Sequence, residues 1–276
     1  MYYVLDKDNI MEEIVPYLSR PCRGPSSRVP VAEIVNAVLY KLKTGVQWHM
    51  LPVGELFSGE PLHYKTVFGH YRKWCKQGAW KDCWVQFLSR NRAKIDLSSG
   101  DLDGSHTTAI RGGEQVEYQG RKKRKTTNAL YLTDRQGLPL AMSEPVSGNH
   151  NDLYEIEVHA EEVFATLEGA GIATDGLFVN GDAGFDSEGF RSPCAKWGVI
   201  PNVPYNQRKG DVDRDEPFDE KLYQERYSVE RTFAWMDSFR SVLNRFDTTA
   251  TSWKGFNFLA FIVIAIKKFK NIKNSR

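Results

Sequence analysis

Leu177-Phe178-Val179-Asn180-Gly181-Asp182 decides the architecture of the second half of the chain. The apolar run reads as a short buried strand that delivers an acid, Asp182, at its C-terminal end. Just before it, residues from about 152 to 167 carry a helical apolar face through Ile156, Val163, Phe164 and Leu167. Farther upstream, Ala129-Leu130-Tyr131-Leu132-Thr133 and Leu138-Pro139-Leu140-Ala141-Met142 flank a turn at Asp134-Arg135-Gln136-Gly137, which predicts a hairpin. Downstream come a short helix near 187–196, an edge strand at 199–203 and a polar loop over 204–217. The edge assignment follows from Pro201, which cannot donate to a ladder. A long helix is expected from about 221 to 245. Hairpin, helix, strand, helix, strand, helix is an α/β order.

Residues 1–95 read as a separate, helical domain, with 96–276 as the second. Ile34, Val35, Val38, Leu39 and Leu42 recur at helical spacing, and Lys43-Thr44-Gly45 gives a basic last turn with a glycine stop. A glycine- and proline-punctuated loop spans 54–61. A second helix follows with Val67, Phe68, Tyr71, Trp74 and Cys75. Gly78 breaks it, and Trp80, Cys83, Trp84, Phe87 and Leu88 begin a third. Three short helices with tight breaks make a helix-turn-helix-like unit. Its charge is lopsided: Lys65, Arg72, Lys73, Lys76, Lys81, Arg90, Arg92 and Lys94 are opposed only by Asp82. Arg72, Lys73 and Lys76 can share one face beside the aromatic stripe, within reach of phosphates. A solvated helix face is the plain alternative.

The chain-wide numbers are permissive. A chain of 276 residues, 41% hydrophobic and 26% charged, is ordinary for a soluble globular protein. A net charge of +2 puts any affinity for nucleic acid into local basic patches. Cys22, Cys75, Cys83 and Cys194 are scattered, without zinc-ligand spacing, which points to buried free thiols in a reducing cytoplasm. The start has neither a basic leader nor an apolar signal core. The most apolar stretch, 256–266, is shorter than the ~20 residues that span a bilayer and reads as a terminal core helix, with no membrane partner.

Chemistry enters with three separated acids. Asp103 lies in Gly100-Asp101-Leu102-Asp103-Gly104-Ser105-His106-Thr107, Asp182 ends the strand quoted above, and Glu230 sits in Tyr223-Gln224-Glu225-Arg226-Tyr227-Ser228-Val229-Glu230-Arg231. The Asp103 segment, rich in Gly, Ser, Asp and Thr, is poor strand material by itself. Acids on two strands and a helix can converge on a pair of Mg²⁺ ions. Two such ions roughly 3.5–4 Å apart activate a nucleophile and stabilise the leaving oxygen of a phosphodiester. On a continuous helix, Tyr223, Arg226, Glu230 and Asp237 fall in one polar sector beside the apolar stripe of Val229, Phe233, Met236 and Leu243. Arg226 is read as a phosphate contact rather than as a helix salt bridge to Glu230. No GxxxxGK[ST] loop is present, in keeping with an exchange of phosphodiesters that needs no nucleotide fuel.

An ordered set of motifs carries a family resemblance. Asp103-Gly-Ser-His-Thr, Gly120-Arg-Lys-Lys-Arg-Lys125, Gly137-Leu-Pro-Leu140, Gly148-Asn-His-Asn-Asp152, Gly181-Asp-Ala-Gly-Phe-Asp-Ser187 and Tyr223-x-x-Arg226-x-x-x-Glu230-Arg231-Thr-Phe233 occur in the order seen in bacterial insertion-sequence transposases. The closest resemblance is to the insertion-sequence-five group of the DDE class. Thr44-Gly-Val-Gln-Trp48-His-Met-Leu-Pro52, Thr66-Val-Phe68, Trp74 and Gly78-Ala-Trp80 extend it through the helical part. The resemblance implies a ribonuclease-H-like catalytic core and makes Asp103, Asp182 and Glu230 the DDE acids and Mg (or Mn) ligands. It also maps the tyrosine and arginine of the family signature onto Tyr223 and Arg226. Implied partners are double-stranded DNA, as terminal inverted repeats and target, and a second copy of the chain in the DNA complex. One departure stands out. The related signature has a lysine seven residues after the glutamate, where this chain has Asp237; Arg240 is the candidate substitute.

The remaining candidates have plainer readings. Asp186 reads as a helix N-cap, His106 as a structural hydrogen-bonding group, and His150 and Asp152 as a capping cluster. Arg121, Lys122, Lys123, Arg124 and Lys125 read as a DNA-backbone contact, with a solvated loop as the alternative. Two other functions stay open: a domesticated, catalytically silent DNA-binding protein, and a ribonuclease-H-like nuclease without strand transfer.

Overall fold

The structure, a computed structural model, describes residues 3–18, 28–206 and 218–274. Cys22 and most of the polar loop expected over 204–217 lie outside the described residues. Along the chain run α1 (Lys7–Glu13), α2 (Val31–Thr44), α3 (Val53–Leu56), α4 (Tyr64–Lys76) and α5 (Ala79–Asn91). Next come β1 (Gly100–Ala109), β2 (Glu117–Gln119), β3 (Arg124–Asp134), β4 (Pro139–Met142) and β5 (Val146–Ser147). They are followed by α6 (Ile156–Gly169), β6 (Phe178–Asn180), α7 (Glu188–Lys196) and β7 (Ile200–Asn202). The last stretch holds α8 (Glu220–Gln224), α9 (Ser228–Asp237), α10 (Arg240–Leu243) and α11 (Ala250–Asn274).

The described residues form two compact units. One gathers the chain up to Phe87, Ile110–Gly113 and everything from Met236 on; the other gathers Leu88–Ala109 and Glu114–Trp235. Compactness therefore divides the chain differently from a cut between residues 95 and 96.

In the first unit, α2 buries Ile34, Val35, Val38, Leu39 and Leu42 and ends at its glycine stop. Gly45 takes φ +68° and returns its N–H to the Lys41 carbonyl, a left-handed cap that costs glycine nothing. Gly78, at φ +69°, separates α4 from α5 in the same way. The apolar C-terminal run is buried over most of its length in α11, as its composition predicts. It packs on the N-terminal helices: Trp84 and Phe261 lie 5.5 Å apart edge to face, and Phe87 stacks on Phe269 at 5.9 Å. Gly255 is needed at that crossing, because a Cβ there would meet the Cys75 sulfur at 2.7 Å. Each buried aromatic contributes about 1.5–3 kcal/mol. Cys75, Cys83 and Cys194 are buried and outside any disulfide. Among the described residues no helix is long and apolar enough to cross a membrane.

The second unit is a mixed sheet in the order β2-β3-β1-β6-β7, with β4 and β5 also paired to β3. β1, β3 and β4 form an antiparallel meander; β6 joins β1 in parallel and β7 joins β6 in parallel. This is the ribonuclease-H-like arrangement. The hairpin is present as β3 and β4, and β7 is the edge strand that contains Pro201. β1 overrides its composition. Nine consecutive residues, Gly100 to Thr108, register against β3, so long-range pairing decides the conformation that local propensity opposes.

Three expectations need correction. The helix before β6 starts at Ile156 rather than near 152, after Glu155 in a left-handed conformation. The N-cap of α7 is Ser187, whose hydroxyl accepts from Phe190 N; Asp186 is instead buried against Arg191 at 2.8 Å. The long helix over 221–245 is broken: a 3-10 turn at Glu225–Tyr227 separates α8 from α9, and Phe239 is extended before α10. Its apolar periodicity runs on through both breaks. Long-range capture of Ser228 at the first break is invisible to periodicity.

Candidate active site

The parallel ladder between β1 and β6 places two acids side by side. Asp101 registers with Asn180, and Asp103 and Asp182 each lie two residues farther on at the same end of adjacent chain segments, near enough for the Asp182 charge to act on Asp103. Asp103 is within β1. Asp182 follows β6 and caps a 3-10 turn, its carboxylate accepting from Gly184 N at 2.8 Å.

A buried polar chain holds this end of the sheet. Asn202 donates to Asn180 Oδ1 at 2.7 Å, and Asn180 donates to Asp101 Oδ1 at 2.7 Å. Asn202 also exchanges hydrogen bonds with the backbone of Asp219, the N-cap of α8. Ser228 donates its hydroxyl to the other oxygen of Asp101. These bonds pin both ends of α8 and its 3-10 turn to the sheet, and so deliver Arg226. Its Nη1 donates to Asp103 Oδ2 at 3.3 Å, while its guanidinium lies 5.8 Å from the Tyr223 ring. The partner of Arg226 is thus Asp103, not Glu230.

Asp103 is held at about 6, above its ordinary 3.8: burial dominates, and Asp152 and Asp182 add repulsion against the relief from Gly104 N–H and Arg226. Burial opposes the charge on Arg226, yet Asp103, Tyr223 and Asp182 raise its pKa on balance. Crowded carboxylates with hard oxygen donors fit a divalent cation chemically. Glu230 lies on α9, exposed. Among the described residues no three His, Cys, Asp or Glu side chains come close enough together to hold a metal ion.

Asp152 is a neighbour that spacing does not reveal. It is no helix cap: its Oδ1 accepts from Asn128 at 2.7 Å and lies where a Cβ on Gly104 would be. Gly104 is therefore glycine because the Asp152 carboxylate occupies its side-chain space. His106 engages Thr126 Oγ1 at 3.2 Å and Gln119 at 3.4 Å, the hydrogen-bonding role expected of it. Asp101, Asn180, Asn202 and Ser228 also escape a reading of the sequence for chemistry. The spacing of Asp101 to Asp103 is the available signal, since i and i+2 share a strand face.

The basic residues fall in two places. Lys65, Arg72, Lys73 and Lys76 are exposed on α4, and Arg72 lies over the Phe68 ring at 5.7 Å. Arg121, Lys122, Lys123, Arg124 and Lys125 are exposed around the β2–β3 turn, with Lys122 reaching the His106 carbonyl. Asp237 ends α9 and Arg240 begins α10, so the break at Phe239 removes the helical phase that would relate Arg240 to Glu230.

Residues 96–265, more than half of the chain, match the family model described as the transposase DDE domain. The chain belongs to the DDE transposases. Residues 7–84 of this transposase match the model for a transposase of the IS4/5 family. No curated protein matches the transposase in sequence. Among solved structures it is similar to the Mos1 transposase paired-end complex with left transposon end, at 14% identity and TM-score 0.29, covering 88% of this chain and 79% of that one. A Mos1 mariner paired-end complex with Mn aligns at 10% identity and TM-score 0.28, over 92% and 82%. At those scores neither likeness bears on the site.

Proposed function

We propose that this transposase cleaves the ends of an insertion sequence and joins them to target DNA, with Asp103, Asp182 and Glu230 as its catalytic acids. The observation that supports the reading is that Asp103 and Asp182, each two residues beyond the paired Asp101 and Asn180, lie near enough for one charge to act on the other, with Arg226 donating to Asp103. Asp103 and Asp182 would hold Mg²⁺ or Mn²⁺, with Glu230 completing the set from α9. When bound, such ions supply the charge that activates the attacking oxygen and stabilises the leaving one.

The chain's own residues do the positioning. Asp101, Asn180 and Ser228 fix the helical segment that carries Arg226. Arg226, which bonds Asp103 and lies beside the Tyr223 ring, would offer its guanidinium to a substrate phosphate when Asp103 serves as a metal ligand. In the first step water attacks the phosphodiester at the element end, leaving a 3′-hydroxyl. In the second that hydroxyl attacks target DNA, one P–O bond forming as another breaks. The exposed bases of α4 and of the β2–β3 turn bind duplex backbone, at terminal repeats and target. The first 95 residues act as the DNA-binding domain and the rest as the catalytic one, in the cytoplasm, as a homodimer on DNA.

One observation favours a second reading, a DNA-binding protein without the chemistry: the described residues assemble no three-ligand metal set. Cleavage of terminal-repeat DNA by wild type, Asp103→Asn and Asp182→Asn separates the two. Divalent-ion-dependent nicking by wild type, lost in both variants with binding intact, supports the transposase mechanism. Binding without nicking in all three supports the silent protein.

A further inference from the structure

The first unit contains a cavity of about 610 Å³ that the catalytic reading leaves unused. Its size falls in the range that encloses a small organic ligand, about 300–1,000 Å³. Trp48, Tyr64, Phe68 and Phe246 supply aromatic walls, and Lys65 and Arg111 stand among them. Trp48 is backed by its own neighbours, with Phe68 at 5.1 Å and Tyr71 at 5.5 Å, so the ring is fixed before anything meets it. Phe246 is 39% exposed, a large apolar ring facing solvent.

Lys41 also lines this cavity, buried to 3% exposure. Its ammonium reaches Ser241 Oγ at 3.1 Å and sits over the Trp48 and Phe256 rings at 5.9 and 5.5 Å. Among the described residues no carboxylate approaches it within ion-pair distance. Asp247, also in the lining, is near enough to act on it through space, and its own burial raises its pKa against the pull of Lys41 and Arg245. Burial lowers the pKa of Lys41 more than Asp247 raises it, so an anion in the cavity would favour the charged form further. Rigid aromatic faces beside cations are the two elements by which proteins bind unpaired nucleotides: bases stack, and phosphates meet Lys and Arg. A base within a duplex cannot offer its face, whereas one already unpaired pays little to leave the stack.

We propose that this cavity receives one unpaired nucleotide of a DNA strand, its base against Trp48 and Phe246 and its phosphate toward Lys65 and Arg111. The inference rests on the chain acting on DNA and goes beyond it, because duplex binding needs no such cavity. A transposase that opens strand ends generates nucleotides of this kind.

The test uses the full chain and two probes, a blunt duplex and the same duplex with a short single-stranded overhang containing 2-aminopurine. Wild type should bind the overhang DNA about tenfold more tightly or better and change the 2-aminopurine emission. In Phe246→Ala and Arg111→Gln, both at exposed positions that spare the core, the ratio of the two affinities should fall toward one while blunt-duplex binding persists. Equal wild-type affinity for both probes would overturn the cavity assignment and leave the DNA reading standing. An overhang preference that survives both substitutions would also overturn it, by locating the nucleotide elsewhere. Failure of wild type to bind either probe would remove the DNA reading, and the cavity assignment with it.

Discussion

Arg226 donates to the Asp103 carboxylate across 123 residues of sequence, and it is the one cation in hydrogen-bonding contact with that acid among the described residues. The contact arises because β1 offers Asp101 and Asp103 on one face: Asp101 takes Ser228, and Asp103 takes the arginine two residues earlier. Even so, one guanidinium does not offset burial and two neighbouring carboxylates.

That imbalance has a pH signature. A carboxyl at about 6 when folded and near 3.8 when unfolded binds more protons in the folded state between those values. Its contribution to stability therefore falls as pH rises through that window and is fully unfavourable above it. In chelator, Asp103→Asn should be more stable than wild type by on the order of 2 kcal/mol at pH 7.5, with the difference vanishing below about pH 4. Thermal melts across that range measure it, and a variant less stable at high pH would contradict the assignment.

Removing or adding the ion gives a complementary expectation. Mn²⁺ at 100 times its Kd should stabilise wild type by about 2.7 kcal/mol, a shift of a few degrees in Tm. Asp103→Asn and Asp182→Asn should lose most of that shift. The same shift in all three proteins would place the ion elsewhere.

Much of the frame is readable from local pattern. The run ending at Asp182, the hairpin around Gly137 and the glycine stop at Gly45 all carry their conformation in neighbouring residues. β1 does not: Gly100, Ser105 and Thr108 are strand residues only because β3 lies alongside. The breaks around Ser228 and Phe239 are hidden for the converse reason, since helical periodicity continues while a distant carboxylate captures Ser228. Asp152 resembles a cap because sequence shows its neighbours and not Gly104, against which it packs. The acids are legible as separate motifs, and only the β1–β6 register brings two of them together.

The polar chain beneath the site should be essential to its shape. Asn180→Ala leaves Asp101 Oδ1 without its bond and takes from the Asn202 amide one of its two acceptors in a buried setting, so unfolding stability should drop by about 2–4 kcal/mol. Denaturant titration reads this directly. A loss under about 0.5 kcal/mol, the low end for a single hydrogen bond, would mean that water or local rearrangement replaces the chain.

The α4 face predicts a salt effect rather than a sequence effect. Arg72, Lys73 and Lys76 are all exposed there. Replacing the three with alanine should weaken duplex binding and flatten the plot of log K against log salt by about 0.9 for each phosphate no longer neutralised. Binding measured at several salt concentrations decides it; an unchanged slope would clear this face of any role in holding DNA.

The most direct test of the proposed chemistry compares Glu230→Gln with Glu225→Gln in a cleavage and strand-transfer assay on terminal-repeat DNA with Mg²⁺. Glu225 is committed to an exposed ion pair with Arg135, worth at most about 1 kcal/mol, so its loss should leave activity near wild type. Glu230→Gln keeps volume and helix propensity but removes the charge that would hold an ion. It should fold and bind terminal-repeat DNA normally while cleavage and joining fall by orders of magnitude. Equal activity in the two variants would show that Glu230 is an ordinary surface residue and that the three-acid assignment is wrong.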